Sequence, residues 1–535
     1  MRRLLVANRG EIALRIFRAC RSLGVETVAV VAPDDAGSLH ARSADAVVEI
    51  ASYLDAAEHV RAARESGADA VHPGYGFLAE SADFADAVLD AGLVWVGPPP
   101  DALRAGGDKL AAKETARAAG VPVLPSGTPE EIGFPLLVKA AAGGGGRGMR
   151  VVRSAAELGD ALEAARREAV AAFGDDTVFC ERYLERPRHV EIQLLADGHG
   201  TVVARGERDC SVQRRHQKVL EESPSPAVDA ALRTRMSEAA VAFARAIGYE
   251  SAGTAEFVVA DGAFFFLELN ARIQVEHPVT ELVTGVDLVR EQLLIAEGEP
   301  VSAPARVGGH AVEVRLYAED PRTFLPQAGR IDRLRLPDGI RVDAGVEEGD
   351  EVGTSYDPML AKLIAHAPTR DEALDLVAAA LRETEIEGVT TNLPFLRWLV
   401  AHPVFRAGAA TTAFLTEHPP LSEPPPRAPA PAWRGAWRLN LPGPPPAPAP
   451  DADAAARPGG AVVEQSSVTA PMPGTVIRVL VAPGAHVAAR DPLVVLEAMK
   501  METPLVSPYD ATVRAVHVAE GDRVAGGAVL VELEE

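Results

Sequence analysis

Apolar residues change their spacing three times along this chain, and each change marks a different architecture. Leu4-Leu-Val-Ala7 is an unbroken apolar run, Glu11–Arg21 places its apolar residues on one helical face, and Glu26–Ala32 is apolar again. Strand, helix and strand at that spacing predict the βαβ opening of a parallel sheet, because parallel strands need a crossover long enough to hold a helix. Ala70–His72 and Leu93–Gly97 continue the pattern. No GxGxxG follows the first strand, so a dinucleotide site is not supported. Beyond Asp108-Lys109 and a helix through Ala119, the apolar runs lengthen and alternate with polar residues. That alternation predicts antiparallel pairing through about residue 330.

The end of the chain has a period of its own. Residues 471–497 shifted by 37 fall on 508–534, with Pro471 on Pro508, Thr475 on Thr512, Val476 on Val513, Gly484 on Gly521, Leu493 on Leu530 and Glu497 on Glu534. Short Val/Leu strands broken by Gly and Pro predict a two-fold β-sandwich of two half-sheets, joined through 498–506, with Lys500 on an exposed turn. Upstream, residues 419–461 hold fourteen of the 42 prolines. Such a segment is an extended linker, and some forty residues at about 3.1 Å each reach on the order of 100 Å. Trp433–Leu441 interrupts it with two of the four tryptophans. Packing against a neighbouring domain and docking a partner subunit are both open for that island.

Composition sharpens the reading of Lys500. Of 53 basic residues only six are lysines, at 109, 113, 139, 218, 362 and 500. Arginine serves wherever any cation will do, and an amine that can be acylated is kept for few positions. A net charge of −23 argues against nucleic acid or an anionic membrane as partner. Cys20, Cys180 and Cys210 lack CxxC spacing and read as reduced thiols. With no apolar run of signal-peptide or membrane-span length, the expected compartment is the cytoplasm.

Two segments carry the candidate chemistry. Phe134–Ala140 predicts a strand with Lys139 near its end, followed by Gly143-Gly-Gly-Gly-Arg-Gly148 and a strand Met149–Val152. Backbone N–H groups freed by glycine can wrap phosphate oxygens, and a neighbouring lysine can neutralise them. No GxxxxGK[ST] is present. In Glu256–Glu268, a turn centred on Gly262 sets Glu256 opposite Glu268 unless a bulge slips the register. Opposed carboxylates repel by about 0.2–1 kcal/mol. A magnesium ion bridging them to nucleotide phosphates resolves this, with Asn270 as a third oxygen on the same face; an acidic solvent-facing hairpin is the competing reading. The alternation continues through Arg272, Gln274 and Glu276, a set able to hold an anion and accept a proton.

The run Glu268-Leu-Asn-Ala-Arg-Ile-Gln-Val-Glu-His277 closely resembles the catalytic segment of biotin carboxylases in the ATP-grasp superfamily. Ala7–Arg15, His72–Leu78, Glu181–Leu184 with Arg188–Glu191, and Asp209–Lys218 resemble the same family, in the family's order. Met499-Lys-Met501 inside its repeat resembles a biotinyl carrier; a lipoyl carrier is the nearest rival. The resemblance implies an α/β and α+β chain: a Rossmann-like biotin carboxylase N-terminal domain over 1–110, ATP-grasp over 111–309, a biotin carboxylase C-terminal domain over 310–418, the linker 419–465, and an all-β biotinyl sandwich over 466–535. By position it implies that Lys109, Lys139, Gly145, Gly146, Glu181, Leu184, His189, Gln213 and His216 bind ATP. Glu256, Glu268 and Asn270 then hold Mg²⁺ or Mn²⁺, with the two carboxylates also counted in the ATP site. Lys218, Arg272, Gln274, the Val275 backbone and Glu276 surround bicarbonate, with Glu276 as the base. Arg341 stabilises the biotin enolate, and Lys500 carries biotin.

The implied protein is the α subunit of an acyl-CoA carboxylase of the acetyl- or propionyl-CoA type. Its implied partners are a separate carboxyltransferase β subunit, a biotin-protein ligase and a second copy of the carboxylase domain. Pyruvate or urea as acceptor, a lipoyl carrier fused to another ATP-grasp ligase, and a non-catalytic scaffold are the alternatives. Two departures stand out. Lys139-Ala-Ala-Ala142 replaces the family's usual Lys-Ala-Ser-Gly, which implies altered lid mobility rather than lost ATP binding. The Pro/Ala linker stands where related α subunits often place a partner-binding β domain.

Overall fold

Leu4, Leu5 and Val6 are fully buried at the centre of a five-stranded parallel sheet. Its order is Ala46–Glu49, Glu26–Val31, Arg3–Val6, Ala70–His72, Val94–Trp95. The first helix, Gly10–Leu23, ends where Gly24 turns left-handed at φ 73°. There the N–H groups of Gly24 and Val25 close on the carbonyls of Arg21 and Cys20, a turn glycine adopts at little cost. The strand expected at Leu93–Gly97 shortens to Val94–Trp95, and Ala46–Glu49 is an edge strand the apolar pattern did not announce. The computed structural model describes the whole chain apart from residues 141–148, 174–175, 215–216, 304–307, 422–466, 473, 499–500, 525 and 535. Trp433–Leu441 therefore lies outside the described residues, and no described helix is long and apolar enough to cross a membrane.

Antiparallel pairing does not stop near residue 330. One sheet of eight strands runs Ala263–Asn270, Ser251–Ala260, Arg188–Ala196, Val202–Arg214, Gln217–Ser223, His310–Tyr317, Met359–Ala367, Arg341–Ala344. The strand from 217 pairs directly with the strand from 310, so the sheet continues unbroken across residue 310. A smaller antiparallel sheet of Ser126–Gly127, Val178–Arg182, Leu136–Ala140 and Arg150–Val152 stands apart from it. Its core is Ile132, Leu136, Val138, Val152, Ala165 and Cys180.

The acidic hairpin reaches its expected register by two departures that cancel. Its turn is Asp261-Gly262, with φ of 50° and 74°, and it pairs Ala260 with Ala263. Both positive φ values suit the Asp-Gly dipeptide of a tight two-residue hairpin. Continued without interruption, that register would set Leu267 against Glu256. A bulge between Glu256 and Phe257 absorbs one residue, and Glu256 faces Glu268 after all.

In the C-terminal repeat the two halves exchange strands. Gly474–Val479, His486–Val487 and Pro492–Ala498 fall, after the 37-residue shift, on Ala511–Val516, Arg523–Val524 and Val529–Glu534. One sheet reads Met501–Val506, Pro492–Ala498, Gly474–Val479, Arg523–Val524 and the other Ser467–Thr469, Val529–Glu534, Ala511–Val516, His486–Val487. Each sheet thus borrows its short edge strand from the opposite half, which corrects the expectation of one half per sheet. The segment 498–506 is likewise mostly strand, because Pro492–Ala498 pairs with Met501–Val506 and Ala498 sits opposite Met501. Met499 and Lys500, between those partners, lie outside the described residues.

Candidate active site

Lys218 is the point on which the site converges. Glu191 and Glu256 face one another on adjacent strands, and Lys218 reaches both, with Nζ 2.5 Å from Glu191 Oε2 and 2.8 Å from Glu256 Oε1. Glu276, at the N-cap of helix His277–Thr284, presents Oε1 2.7 Å from the same ammonium. Burial disfavours the charge on Lys218, but the three carboxylates outweigh it and raise its pKa well above the usual value. The carboxylates gain in return. Burial alone would protonate Glu276; Lys218, Arg315 and Arg208 instead hold it far below the ordinary carboxylate range. Arg315 Nη2 donates to Glu276 Oε2 at 2.9 Å. Glu276 is therefore an anion at neutral pH, oriented by two cations and able to accept a proton.

Glu191 is fixed from behind. Arg208, fully buried, donates through Nε to Glu191 Oε1 at 2.5 Å and through its other nitrogens to Gln193, Thr280 and Thr254. A buried guanidinium satisfied on every side holds its carboxylate in one place.

The acidic pair divides its labour. Glu256 Oε1 accepts from Asn270 Nδ2 at 2.8 Å and from Gln274 Nε2 at 3.3 Å, while His189 Nε2 lies 2.8 Å from Oε2. Burial opposes its ionisation, yet Lys218 and His189 hold its pKa far down. Glu268 is half-buried and meets Lys109 Nζ at 3.7 Å. Lys109 opens helix Lys109–Ala118, capped by Asp108. His189, Glu191 and Glu256 bring ligand atoms within 4.8 Å of one another. The carboxylates of Glu256 and Glu268 are the hard oxygen donors that suit Mg²⁺ or Mn²⁺, whereas Asn270 turns its amide nitrogen to Glu256 and gives its oxygen to Arg272.

The other expected residues are gathered in part. Lys139 and Lys113 both bind Glu181, Lys139 at 2.6 Å, so the buried Glu181 carboxylate is the counter-ion of two lysines. Leu184 lies two residues past strand Val178–Arg182, which carries Glu181. Gln213 Nε2 lies 2.6 Å from His189 Nδ1. Gly145, Gly146 and His216 lie outside the described residues, as does the altered Ala141-Ala142 entry to the glycine run. Arg272 donates to Glu80 at 3.0 Å, Asn270 Oδ1 at 3.0 Å and Gln274 Oε1 at 3.2 Å. The Val275 carbonyl accepts from Lys362 at 2.8 Å. Arg341, on the far edge strand, is clamped by Glu281 at 2.7 Å and Asp343 at 2.8 Å. Glu281 belongs to the helix that Glu276 caps, so Arg341 is tied to the base through one helix.

Sequence reasoning missed Lys113, Arg208, Glu221, Glu313, Arg315 and Lys362. One signal for the lysines was their scarcity: every lysine among the described residues has a carboxylate within 4.0 Å. Glu313 and Arg315 alternate with Val312, Val314 and Leu316, which reads as a half-solvated strand. All eight residues of His310–Tyr317 are buried. Alternation shows that two faces differ, not that one of them is wet.

Four family models match the chain in series. They are "Biotin carboxylase, N-terminal domain" at residues 1–103, "Carbamoyl-phosphate synthase L chain, ATP binding domain" at 108–303, "Biotin carboxylase C-terminal domain" at 313–417, and "Biotin-requiring enzyme" at 466–533. The biotin-dependent acyl-coenzyme A carboxylase alpha3 subunit of Mycobacterium leprae is 42% identical over 590 residues, covering 99% of this chain and 98% of the relative. The propionyl-CoA carboxylase alpha chain of Ruegeria pomeroyi is 45% identical over 464 residues, 78% of this chain and 68% of that one. Among solved structures, the biotin carboxylase domain dimer of the Hydrogenobacter thermophilus 2-oxoglutarate carboxylase, in complex with MgADP, ADP and bicarbonate, superposes with a TM-score of 0.76. It is 43% identical and covers 78% of this chain and 98% of its own.

Proposed function

The chain belongs to the biotin-dependent carboxylases, as an α subunit uniting biotin carboxylase and carrier, and from that premise we propose that it carboxylates biotin on Lys500 for an acyl-CoA carboxylase. The observation that carries this reading is the single ammonium of Lys218 bridging Glu191, Glu256 and Glu276. Lys218 and Arg272 supply the positive charge that gathers bicarbonate, with Gln274 and the Val275 backbone beside them. Glu276 takes its proton, making a better nucleophile toward the γ-phosphorus of ATP; carboxyphosphate and ADP result.

Lys109, Lys139, Glu181, Leu184, His189 and Gln213 hold the nucleotide, joined by Gly145, Gly146 and His216. Glu256, Glu268 and Asn270 hold Mg²⁺ or Mn²⁺, which neutralises charge on the phosphates. Biotin, when bound, supplies the nitrogen that accepts CO₂ and a tether long enough to carry it. Arg341, kept charged by Glu281 and Asp343, offers a fixed cation toward biotin. Lys218, Glu191, Glu256 and Glu276 are already paired with one another, so little reorganisation of these groups is needed at the moment of reaction.

The M. leprae and R. pomeroyi relatives, named for acyl-CoA and propionyl-CoA carboxylases, support an acyl-CoA acceptor; the proposal takes it as acetyl- or propionyl-CoA, carboxylated on a separate carboxyltransferase subunit in the cytoplasm. The dimeric solved neighbour supports association through the carboxylase domain, and a biotin-protein ligase modifies the carrier. Two measurements test the reading. Intact mass of the chain from its host should show a biotin adduct that Lys500→Arg removes; a lipoyl adduct rejects it. Co-purification of the carboxyltransferase, assayed with acetyl-CoA, propionyl-CoA, pyruvate and urea, decides the acceptor.

A further inference from the structure

Two buried carboxyl groups take no part in the scheme above. Glu221 and Glu313 stand directly opposite one another on strands Gln217–Ser223 and His310–Tyr317, and both are 0% exposed. Directly opposed residues bring their Cβ atoms to about 5 Å. Among the described residues, neither oxygen of either carboxyl receives a hydrogen bond. Arg315 Nη2 does lie 2.5 Å from Glu221 Oε1, outside hydrogen-bonding alignment. The same nitrogen donates to Glu276 Oε2 at 2.9 Å. One guanidinium nitrogen is thus contested by the base and by the buried pair.

The surrounding charges do not relieve the pair. On Glu221's own strand Lys218 is committed to three carboxylates. On the strand beyond Glu313, Lys362 is committed to Glu11 at 3.1 Å and to the Val275 carbonyl at 2.8 Å. Cys210, from the strand on the other side, and the buried His277, from the helix beneath, add no positive charge: burial keeps the thiol protonated and the imidazole neutral. Glu276 adds a further negative charge. Two bare carboxylates cannot persist in that setting, and one proton held between them removes the conflict. In accord with this, burial, only partly offset by Arg315, pushes Glu221 up to about 7, and burial pushes Glu313 well above the carboxylate range.

We propose that Glu221 and Glu313 share one proton and in that state act as positioning residues, leaving the Arg315 guanidinium to orient Glu276. When the proton departs to solvent, Glu221 becomes a full anion beside the nitrogen that Glu276 uses. Arg315 is then drawn away, and the base faces an added negative charge that also repels bicarbonate. The shared proton is exchanged with solvent and is not consumed in turnover. The inference rests on the assignment of Glu276 as the proton acceptor.

The test is the pH profile of bicarbonate-dependent ATP hydrolysis by the full-length chain, with free biotin as acceptor and bicarbonate varied at each pH, its concentration corrected for ionisation. The wild type should show a basic limb in kcat/KM for bicarbonate. Glu221→Gln, which cannot ionise, should abolish that limb or move it up by about one pH unit or more, whereas Glu313→Gln, leaving Glu221 alone with Arg315, should move it down by about one unit. Infrared spectra of the wild type should contain a protonated-carboxyl band that titrates away with the limb and is lost or displaced in both variants. A limb at the same pH in all three proteins overturns the proposal, as does a wild type lacking the band below the limb. If Glu221→Gln does not fold, the Glu313→Gln profile and the wild-type band decide the matter. Retained activity in Glu276→Gln alongside an intact band would instead unseat the assigned base.

Discussion

Two regions of this protein are built in opposite ways. Around Lys218 the interior is crowded with charge: Glu191, Arg208, Glu221, Glu276 and Glu313 are all fully buried. Each of the bridged carboxylates is held by a cation from a different strand or helix. In the C-terminal sandwich the core is aliphatic, built from Val476, Leu493, Val494, Leu496, Val513, Leu530 and Leu533. Among the described residues of that sandwich the only buried polar side chain is Ser507, whose hydroxyl donates to the Tyr509 carbonyl at 2.6 Å. Buried charge costs stability and fixes geometry; aliphatic packing yields stability and asks only for shape. The first suits a centre where proton and phosphoryl positions matter. The second suits a platform whose job is to travel intact.

The contrast can be broken at either end. The largest effect belongs to Glu276→Gln, expected to lower bicarbonate-dependent ATP hydrolysis by about 10²–10⁴-fold. Biotin loading of the carrier, read by intact mass, should be untouched, and equal loss of both would erase the distinction between the regions. Next is Lys218→Met, which leaves three carboxylates facing one another and should cost about 3–5 kcal/mol in denaturant unfolding of the carboxylase portion. The sign with pH follows from the depressed pKa values of Glu256 and Glu276. Stability from these groups is fully present above their unfolded pKa of about 4.3 and is lost as pH falls toward their folded values. The gap between wild type and Lys218→Met should therefore narrow in acid; a gap independent of pH would mean that the cost lies in packing. The smallest effect is Val476→Ala, which should cost about 2 kcal/mol. It should appear only in the unfolding of the sandwich, with hydrolysis supported by free biotin unchanged.

How much of this was legible in the sequence differs between the regions for the same physical reason. The 37-residue period gave away the sandwich strands because aliphatic packing writes itself into every second residue. It could not say which half supplies which edge strand, since the shift maps both arrangements onto themselves. The acidic hairpin was legible in outcome, Glu256 against Glu268, while the Asp261-Gly262 turn and the Leu267 bulge that produce it cancel in any count of residues. Least legible were Arg208, Glu221, Glu313 and Arg315. They look like the wet face of a strand until the rest of the sheet and the helix His277–Thr284 cover it. Burial of a polar face is decided by what packs on it, which no local pattern contains.

The exchanged edge strands of the sandwich have a consequence for how the chain is made. The sheet that bears the Ala498–Met501 hairpin needs Arg523–Val524 to complete its edge, and the opposing sheet needs Val529–Glu534 at its interior. A ribosome that has translated the lysine has not yet supplied either. The hairpin's sheet cannot close before Arg523–Val524 emerges, nor the opposing sheet before the final strand, so a chain cut short before Val529 leaves the sandwich unfinished. Under the proposed modification of Lys500, an enzyme that requires the closed sandwich would pass over such fragments, and the label would report a finished molecule.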